Sequence, residues 1–540
     1  MKASGDQHFL AEHLAQLLAS RSGLTGAEQK AFGQLVADLL VALGEGHSCL
    51  PLTVSQLALL RRSPLVSAGG LTPLVLYLDR LYLHRTYTYE SRLARQCQAL
   101  ASRHHGDLPL TNLLDEVFGP GGDEGQRQAA VIALRQSLCL ISGGPGTGKT
   151  STVVKIIAML LRHFGLQLRI ALCAPTGKAA MRLGEAVRAN LPHLPVAAEI
   201  REAIPLTAHT LHRLLGVQRH SSRFRHCAAY PLPWDVVVVD EASMVDLALM
   251  SKLVDALAPT ARLILLGDKD QLVSVESGAV VADLIAGLPA NTVSLTKAYR
   301  FDTNIRSLAS RINDGDGPGS WALLADPALT NIGILTDEID SYIGGRYDQY
   351  MTTVRRLAEV GFAEVFAALH RFQVLCALRR GAYGVAGINS RVEQYLARKG
   401  HDCSGRMWYA GRPVLVTRND YGLELYNGDI GICLPDPESG VLKVWFTGTA
   451  GTYRGFMPYR LPQLETVFAM TIHKSQGSEC DEVLIVLPRE ENRLLSRELL
   501  YTGVTRARKE VRVVSGQEIF METVRRKTVR YSGLAEYFHD

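Results

Sequence analysis

The amino-acid sequence predicts an α/β fold with parallel sheets, preceded by a mainly helical N-terminal domain. From Gln126 onward, apolar runs rich in β-branched residues alternate with amphipathic stretches; the runs are LCLIS, LRIALCA, DVVVVD, RLILLG, RFQVLCAL, DEVLIVLP and VRVVS. Such runs are typical of parallel strands that are buried on both faces of a sheet. Before them, FLAEHLAQLLAS and AFGQLVADLLVALGEG place apolar residues three and four positions apart, which indicates helices.

The 540 residues suffice for about three to four domains. The turn-forming run Gly119-Pro120-Gly121-Gly122 predicts a boundary that closes a helical domain over residues 1–118. A first α/β domain is predicted over 119–298 and a second over 299–540. Within the second, the short strand candidates PVLVT, IGICL and LKVWF predict a small all-β insertion over about 411–462.

The composition, 47% hydrophobic and 21% charged, excludes global disorder. No apolar run reaches about 18 residues and no secretory signal begins the chain, so we expect a cytoplasmic protein without a membrane partner. The nine cysteines form no CxxC pair and are expected to be buried thiols. Residues 1–118 are charge-neutral, so the net charge of +5 lies in the later part, where any nucleic acid is expected to bind.

The chemistry begins with a phosphate-binding motif. The segment GGPGTGKT satisfies GxxxxGK[ST] between the strand LCLIS and the helix STVVKIIAMLL. Glycines let the backbone wrap phosphates, the lysine reaches the β and γ oxygens, and the threonine hydroxyl can coordinate Mg²⁺. The predicted nucleotide-binding residues are Gly143, Gly144, Pro145, Gly146, Thr147, Gly148, Lys149 and Thr150.

Polar residues at the ends of two later strands complete a hydrolytic site. Val236–Val239 precede Asp240 and Glu241, so the sequence predicts Asp240 as an Mg²⁺ ligand and Glu241 as the group that orients or deprotonates water. The next strand ends in GDKDQL, which would deliver Gln271 toward the γ-phosphate. Together these segments predict a P-loop NTPase.

Further motifs narrow the class. APTGK at 174–178, YR at 299–300, TIHKSQGSE at 471–479 and YTGVTRAR at 501–508 follow in order. With the P-loop, DEAS and GDKDQL, they resemble the motif series of superfamily 1 helicases, which bind ATP between two RecA-like domains. TAHTLHRLLG, VVVVDEASMVDLALM, GRPVLVTRNDYGLELYNGDIG and SGLAEYF are similar to the RecD family, the alpha subunits of exodeoxyribonuclease V (RecBCD). LLVALGEGHSCLPL and PLVLYLDRLYLHRTYTYE extend the resemblance over nearly the whole chain.

This resemblance implies a 5′-to-3′ DNA helicase that uses ATP and Mg²⁺ on single-stranded and duplex-end DNA. It implies a heterotrimer with a RecB-like helicase-nuclease and a RecC-like scaffold subunit, which processes double-strand breaks. It also implies two RecA-like P-loop domains, an SH3-like β insertion in the second, and docking on the scaffold through residues 1–118. A self-contained helical cap is the alternative for that segment.

Other functions stay open at this point. The chain could be a stand-alone RecD-like helicase, or a regulatory subunit whose ATP site is a switch. We expect no nuclease activity, because no cluster of Asp, Glu and Lys lies outside the ATP motifs. Residues 217–234 leave little room for a strand-separating insertion, which favours translocation over unwinding by this chain alone.

The resemblance also assigns roles to single residues. Gln126 corresponds to the glutamine that contacts adenine, with a solvated helix-start residue as the alternative, and Gly477 is placed at the nucleotide. Arg300 and Arg506 correspond to arginine fingers at the γ-phosphate. The DNA-contacting candidates are Pro175, Thr176, Lys178, His209, Thr210, His212, Asn419, Asn427, Thr471, His473, Lys474 and Ser475, and each histidine has a surface role as its alternative. In the β insertion, Arg418 and Asp429 accompany the two asparagines.

Overall fold

The computed structural model describes residues 2–106, 108–218, 221, 223–272, 277–297, 302–336, 338–403, 405–420, 422–448 and 451–538, with side chains from residue 9 onward. In these ranges no helix is both long enough and apolar enough to cross a membrane.

The N-terminal part combines helices with a small sheet. Its elements are Lys2–Ser20 (α1), Gly26–Gly44 (α2), Leu50–Pro51 (β1), Val54–Leu60 (α3), Val66–Ser67 (β2), Leu74–Tyr77 (β3), Arg80–Leu83 (β4), His84–Ala101 (α4) and Thr111–Phe118 (α5). The strands form a four-stranded sheet in the order β1-β4-β3-β2. This sheet was not predicted from the sequence, because strands of two to four residues are too short for a period of two to be recognised.

Packing divides these elements into two groups. The first group, α1 to α3 with the small sheet, encloses a core that includes Phe32, Leu39 and Leu74. We call residues 2–83 the N-terminal unit. Helices α4 and α5 instead pack against the first parallel sheet, as the burial of Cys97 in its core illustrates. The packing therefore changes near residue 84, earlier than the boundary predicted at residue 118.

A six-stranded parallel sheet follows. Its elements are Glu124–Arg135 (α6), Leu138–Gly143 (β5), Lys149–Phe164 (α7), Ile170–Ala174 (β6), Gly177–Asn190 (α8), Ala198–Ala203 (α9), Ala208–Thr210 (β7), Leu211–Leu215 (α10), Val236–Val239 (β8), Leu247–Asp255 (α11), Arg262–Gly267 (β9), Val280–Gly287 (α12) and Thr292–Leu295 (β10). The strand order is β10-β5-β9-β8-β6-β7. Every residue of β5, β6, β8 and β9 is buried, which confirms the prediction that the continuous apolar runs form strands buried on both faces.

A second parallel sheet has the order β11-β20-β19-β12-β18. The elements of this region are Thr303–Asp314 (α13), Gly317–Ala325 (α14), Ile332–Ile334 (β11), Ile339–Arg355 (α15), Leu357–Arg371 (α16), Phe372–Cys376 (β12), Val385–Arg398 (α17), Pro413–Val416 (β13), Ile430–Pro435 (β14), Leu442–Thr447 (β15), Tyr453–Phe456 (β16), Leu464–Thr466 (β17), Ala469–Thr471 (β18), Cys480–Val486 (β19), Arg497–Val504 (α18), Ala507–Val514 (β20) and Gln517–Arg525 (α19). The α/β class with parallel sheets is confirmed. We call the parts around the two parallel sheets the first and second α/β regions.

Between β12 and β18, strands β13 to β17 form an antiparallel five-stranded sheet in the order β16-β15-β14-β13-β17. It occupies the part of the chain where an all-β insertion was predicted. Trp445 on β15 packs against Phe362 of α16, with ring centroids 4.5 Å apart. This contact joins the antiparallel sheet to the second α/β region.

The segment after α19, residues 526–538, crosses from the second α/β region to the N-terminal unit, and we call it the strap. At its start, the backbone N–H and hydroxyl of Thr528 donate to the Glu498 carboxylate at 3.0 and 2.7 Å. Further along, the Arg530 guanidinium donates to the Gly46 carbonyl oxygen at 2.8 Å. The strap therefore ties α18 to the end of α2.

A buried carboxylate holds the middle of the strap. Glu90 on α4 accepts hydrogen bonds from the Gly533 backbone N–H at 2.8 Å and from the Tyr82 hydroxyl at 3.0 Å. A Cβ at position 533 would lie 2.3 Å from the Tyr82 hydroxyl oxygen, so a side chain there would displace Tyr82. Burial raises the pKa of Glu90, and these hydrogen bonds oppose that rise.

Candidate nucleotide cleft and nucleic-acid groove

The phosphate-binding loop joins β5 to α7. Gly146 and Gly148 adopt positive φ angles of 75° and 84°, a conformation that glycine adopts at little cost. The Lys149 ammonium donates to the carbonyl oxygens of Gly143 and Gly144 at 2.5 and 3.0 Å. The loop and the first turn of α7 thus present free N–H groups and one cation to an anion.

Both α/β regions contribute to a cleft of about 440 Å³ beside this loop. A cleft of this size can hold a nucleotide. The predicted residues that line it are Pro145, Gly146, Gly148, Lys149, Thr150, Asp240, Glu241, Gln271, Gly477 and Arg506.

Four predicted nucleotide-binding residues lie elsewhere in the described structure. Gly143, Gly144 and Thr147 form the base of the loop, where the Thr147 hydroxyl donates to the Gly144 carbonyl oxygen at 2.8 Å. Gln126 is buried in the first turn of α6, and its backbone N–H donates to the Asp123 side chain at 3.0 Å.

Asp240 and Glu241 follow β8 directly. Glu241 adopts a left-handed backbone conformation with φ of 51°, which is uncommon for a residue with a side chain. Its backbone N–H donates to Asp240 Oδ1 at 2.8 Å. Burial, and then the neighbouring Glu241, raises the pKa of Asp240 to about 6, while Lys149 opposes this rise. The site therefore holds a buried carboxyl group whose ionised form is stabilised by a nearby cation.

The residues present fit a bound Mg²⁺. Asp240 and Thr150, the two predicted ligands, line the same cleft. The Lys149 ammonium offsets only part of the effect of burial on the Asp240 carboxylate. Across the described ranges, no group of three or more His, Cys, Asp and Glu is arranged to hold a metal ion. Magnesium commonly keeps water and phosphate oxygens as its other ligands, so two protein ligands suffice.

Gln271 is held by residues that the sequence analysis did not select. Its side-chain amide donates to Asp268 Oδ2 at 2.9 Å, and the Tyr501 hydroxyl from α18 donates to the same oxygen at 3.2 Å. Burial raises the pKa of Asp268, while its hydrogen bonds oppose the rise. Asp268 begins the polar part of GDKDQL and Tyr501 begins YTGVTRAR, but no pattern in the sequence places them in contact.

Arg506 reaches the cleft from the second α/β region. It is 3% exposed, and its guanidinium donates to the carbonyl oxygens of Thr502 and Ser478 at 3.0 and 3.3 Å. These bonds orient the side chain beside the cleft. The other predicted finger, Arg300, lies outside the described residues.

A groove of about 560 Å³ separates α8 and β7 from the antiparallel sheet. Of the predicted DNA-contacting residues, Lys178, His209 and Thr210 line it. It is also lined by Arg213, Tyr426 and Arg454, which the sequence analysis did not select.

Gly177 brings Tyr426 close to α8. A Cβ at position 177 would lie 2.7 Å from atoms of Tyr426, so a side chain there would displace the ring. Tyr426 directly precedes the Asn427-Gly428 turn, which was the signal in the sequence that could have found it. An aromatic ring beside basic side chains is suited to a nucleic-acid strand.

Lys178 also bridges the two α/β regions. Its ammonium donates to the Ser478 hydroxyl across the interface. Burial, and then Arg182, lowers the pKa of Lys178 to about 8. This lysine therefore contacts the second region as well as the groove.

Several predicted DNA-contacting residues make local hydrogen bonds. The Thr176 hydroxyl accepts from Ala179 N at 3.2 Å and begins α8, directly after the half-buried Pro175. Asn419 Oδ1 accepts from Asn427 N at 2.7 Å, which joins two loops of the antiparallel sheet beside the exposed Arg418.

Residues 471–475, from the last residue of β18 onward, also make local hydrogen bonds. The Thr471 hydroxyl accepts from Lys474 N at 3.3 Å, and the Lys474 ammonium pairs with Glu465 at 2.8 Å. Ser475 is buried and donates to the Ile472 carbonyl oxygen at 2.7 Å. In this segment, burial lowers the pKa of His473.

Two histidines from the first α/β region differ in exposure. His212 is exposed on α10, whereas His209 is half-buried at the groove. Burial and the nearby Arg213 lower the pKa of His209. The structure thus brings most of the predicted nucleotide-site residues together in one cleft, but it spreads the DNA candidates over the groove and its surroundings.

Comparison with known proteins identifies the family. A model described as an AAA domain matches residues 126–277, and one described as a UvrD-like helicase C-terminal domain matches residues 466–514. The RecBCD enzyme subunit RecD of Mycolicibacterium smegmatis is 45% identical over 486 residues, which cover 88% of this chain and 85% of that protein. This chain belongs to the RecD family. The predicted resemblance to RecD is thereby confirmed.

Two further similarities were found. The ATP-dependent RecD2 DNA helicase of Deinococcus radiodurans is 34% identical over 447 residues, which cover 79% of this chain and 54% of that helicase. Among solved structures, Pif1 helicase from Bacteroides in complex with ADP-AlF3 and ssDNA has a TM-score of 0.43 and 17% identity, over 78% of this chain and 95% of that chain.

Proposed function

We propose that the chain is an ATP-dependent DNA helicase subunit that moves 5′ to 3′ along single-stranded DNA within a RecBCD-type complex. One observation carries this proposal: the cleft combines Lys149 and Glu241 from the first α/β region with Arg506 from the second. A site shared between two regions changes when they approach or separate. The polarity and the complex are supported by membership of the RecD family.

The chemistry follows from the charges in the cleft. Lys149 exchanges its loop carbonyls for phosphate oxygens, and Glu241 orients the attacking water. Arg506, already held by carbonyl oxygens of its own region, stabilises the charge that develops on the γ-phosphate. A bound Mg²⁺, held by Asp240 and Thr150, would neutralise phosphate charge.

Movement on DNA uses the groove. Its basic side chains, Arg213 and Arg454, can hold backbone phosphates, and the ring of Tyr426 can stack on a base. Lys178 adds a direct link from the groove to the second α/β region. Closing and reopening of the cleft would then alternate the grip on a single strand or on the frayed end of a duplex.

The antiparallel sheet is proposed as the SH3-like element of the family. It faces α8 across the groove, a position from which it can restrain a strand. The helical N-terminal unit is proposed to dock on a RecC-like scaffold beside a RecB-like helicase-nuclease. An exposed apolar face on α1 supports this role: Phe9, Leu10 and Leu17 are 62%, 70% and 47% exposed.

A DNA-stimulated ATPase assay tests the proposal, and Lys149→Gln serves as the variant that is expected to be inactive. Wild type is expected to hydrolyse ATP faster with oligo-dT, whereas the variant loses turnover by about a hundredfold or more, because the cation at the phosphates is gone. Unaltered circular dichroism would verify folding. ATP hydrolysis that is not stimulated by DNA would favour the regulatory-switch alternative. Wild-type turnover in Lys149→Gln would contradict the assignment of the P-loop.

A further inference from the structure

Arg182 lies on α8 between the nucleotide cleft and the groove. Of the described residues, only Arg182 and Glu185 line both cavities. Glu185 is exposed, and its carboxylate would repel a phosphate from either side. Arg182 is therefore the one described cation that phosphates in both cavities can approach.

The charges around Arg182 come from both α/β regions. Lys178 precedes it by four residues and thus lies on the same face of α8. The carboxylates of Glu479, in the second region, and Glu241, in the first, attract the Arg182 guanidinium, whereas Arg506 repels it. Burial is the largest influence and lowers the pKa of Arg182. Because burial disfavours the charged guanidinium, an additional anion in contact with Arg182 would stabilise it.

We infer that Arg182 couples the two sites, because its guanidinium can pair with a nucleotide phosphate in the cleft or with a DNA phosphate in the groove. This inference rests on the proposed function. One side chain cannot satisfy both anions fully, so a bound nucleoside triphosphate weakens the hold on DNA. By linkage, DNA weakens nucleotide binding by the same factor. Arg182 thus weakens its contact with the DNA strand when ATP enters the cleft.

The test measures this coupling in the full chain. The dissociation constant of a fluorescent oligo-dT is determined by anisotropy, with and without Mg²⁺ and a non-hydrolysable ATP analogue. We expect the analogue to raise this constant about fivefold or more in wild type, at the low end of common coupling strengths. Arg182→Gln should reduce the change to less than about twofold, and Arg182→Lys should keep part of it because the charge remains.

A matched control lies on the same helix. Arg188 is exposed on α8 and lines neither cavity, so Arg188→Gln should retain the full change. Direct titration with a fluorescent nucleotide verifies that Arg182→Gln still binds the analogue. An unchanged effect in Arg182→Gln, or no effect in wild type, would overturn the coupling role alone. Failure of wild type to bind either ligand would instead overturn the proposed function.

Discussion

At the scale of one residue, Asp240, the proposed Mg²⁺ ligand, is a buried carboxyl group whose ionisation opposes folding. Its carboxyl group is buried beside Glu241, and the Lys149 ammonium is the cation that opposes the rise of its pKa. Burial disfavours the ionised form, whereas binding of a cation requires it. The proposed Mg²⁺ ligand is therefore a carboxylate whose ionised form burial disfavours.

Asp240→Asn should stabilise the nucleotide-free protein. The folded-state pKa, about 6, exceeds the ordinary aspartate value of 3.8, so ionisation opposes folding above about pH 6 and ceases to do so as the pH falls toward 4. At pH 8 we expect the unfolding free energy of the variant to exceed that of wild type by up to about 3 kcal/mol, so that it melts at a higher temperature, with the difference shrinking toward pH 4. Thermal melts across this range would measure it. Equal melting curves at both pH values would contradict the assigned cause.

Replacing Arg506 by alanine should separate catalysis from binding. A finger acts mainly in the transition state, so kcat is expected to fall by about 10³-fold while nucleotide affinity changes less than about threefold. Arg300→Ala is expected to behave in the same way on the basis of the family resemblance. Steady-state rates and fluorescent-nucleotide titrations give the two quantities. Parallel losses in both would indicate a ground-state ligand instead.

The sequence predicts most of the residues that line the candidate nucleotide cleft but few of those that line the groove, for a physical reason. The phosphate-binding loop is contiguous, so its spacing alone reports the geometry. The contact between Asp268 and Tyr501 joins residues 233 positions apart, and it depends on how two regions pack. Tyr426 likewise reaches the groove only because Gly177 leaves space for it.

At the scale of elements, the fully buried strands are predicted well because both faces require apolar residues. The strands of the N-terminal unit were missed, since they are short and belong to a small sheet beside helices. Helix α4 was assigned to the N-terminal domain although it packs on the first parallel sheet, because amphipathic periodicity shows that a helix has an apolar face but not which surface covers it.

Gly533→Ala should loosen the strap. The added methyl would meet the Tyr82 hydroxyl at 2.3 Å, so we expect a loss of about 1–3 kcal/mol in unfolding free energy and faster protease cleavage within residues 526–538. Gly516→Ala is the matched control, because a Cβ there meets nothing within 4 Å. Equal protease resistance in both variants would show that the strap tolerates the methyl group.

At the scale of the whole molecule, the N-terminal unit has a separate core and touches the rest of the chain partly through the strap. Removing residues 1–118 entirely would also remove α4 and α5 from the core of the first α/β region. Point substitutions on α1 therefore test docking more cleanly than a deletion.

The combined substitution Phe9→Ser, Leu10→Ser and Leu17→Ser should abolish co-purification with the scaffold subunit. These side chains are already exposed, so the folded chain and its DNA-stimulated ATPase should persist. Met407→Ser, at a position 74% exposed in the second α/β region, is the control. Assembly of the triple variant at wild-type stoichiometry would place the interface elsewhere.

The strap also constrains how the chain is made. Glu90 and its partner Gly533 are 443 positions apart, so a ribosome releases the acceptor long before its donor. During that interval the buried carboxylate of Glu90, on α4, lacks part of its hydrogen bonding, while both parallel sheets are still being synthesised. The contact between the strap and α4 is thereby completed only after nearly all of this chain has emerged, which gives a chaperone or another subunit time to engage the early segments.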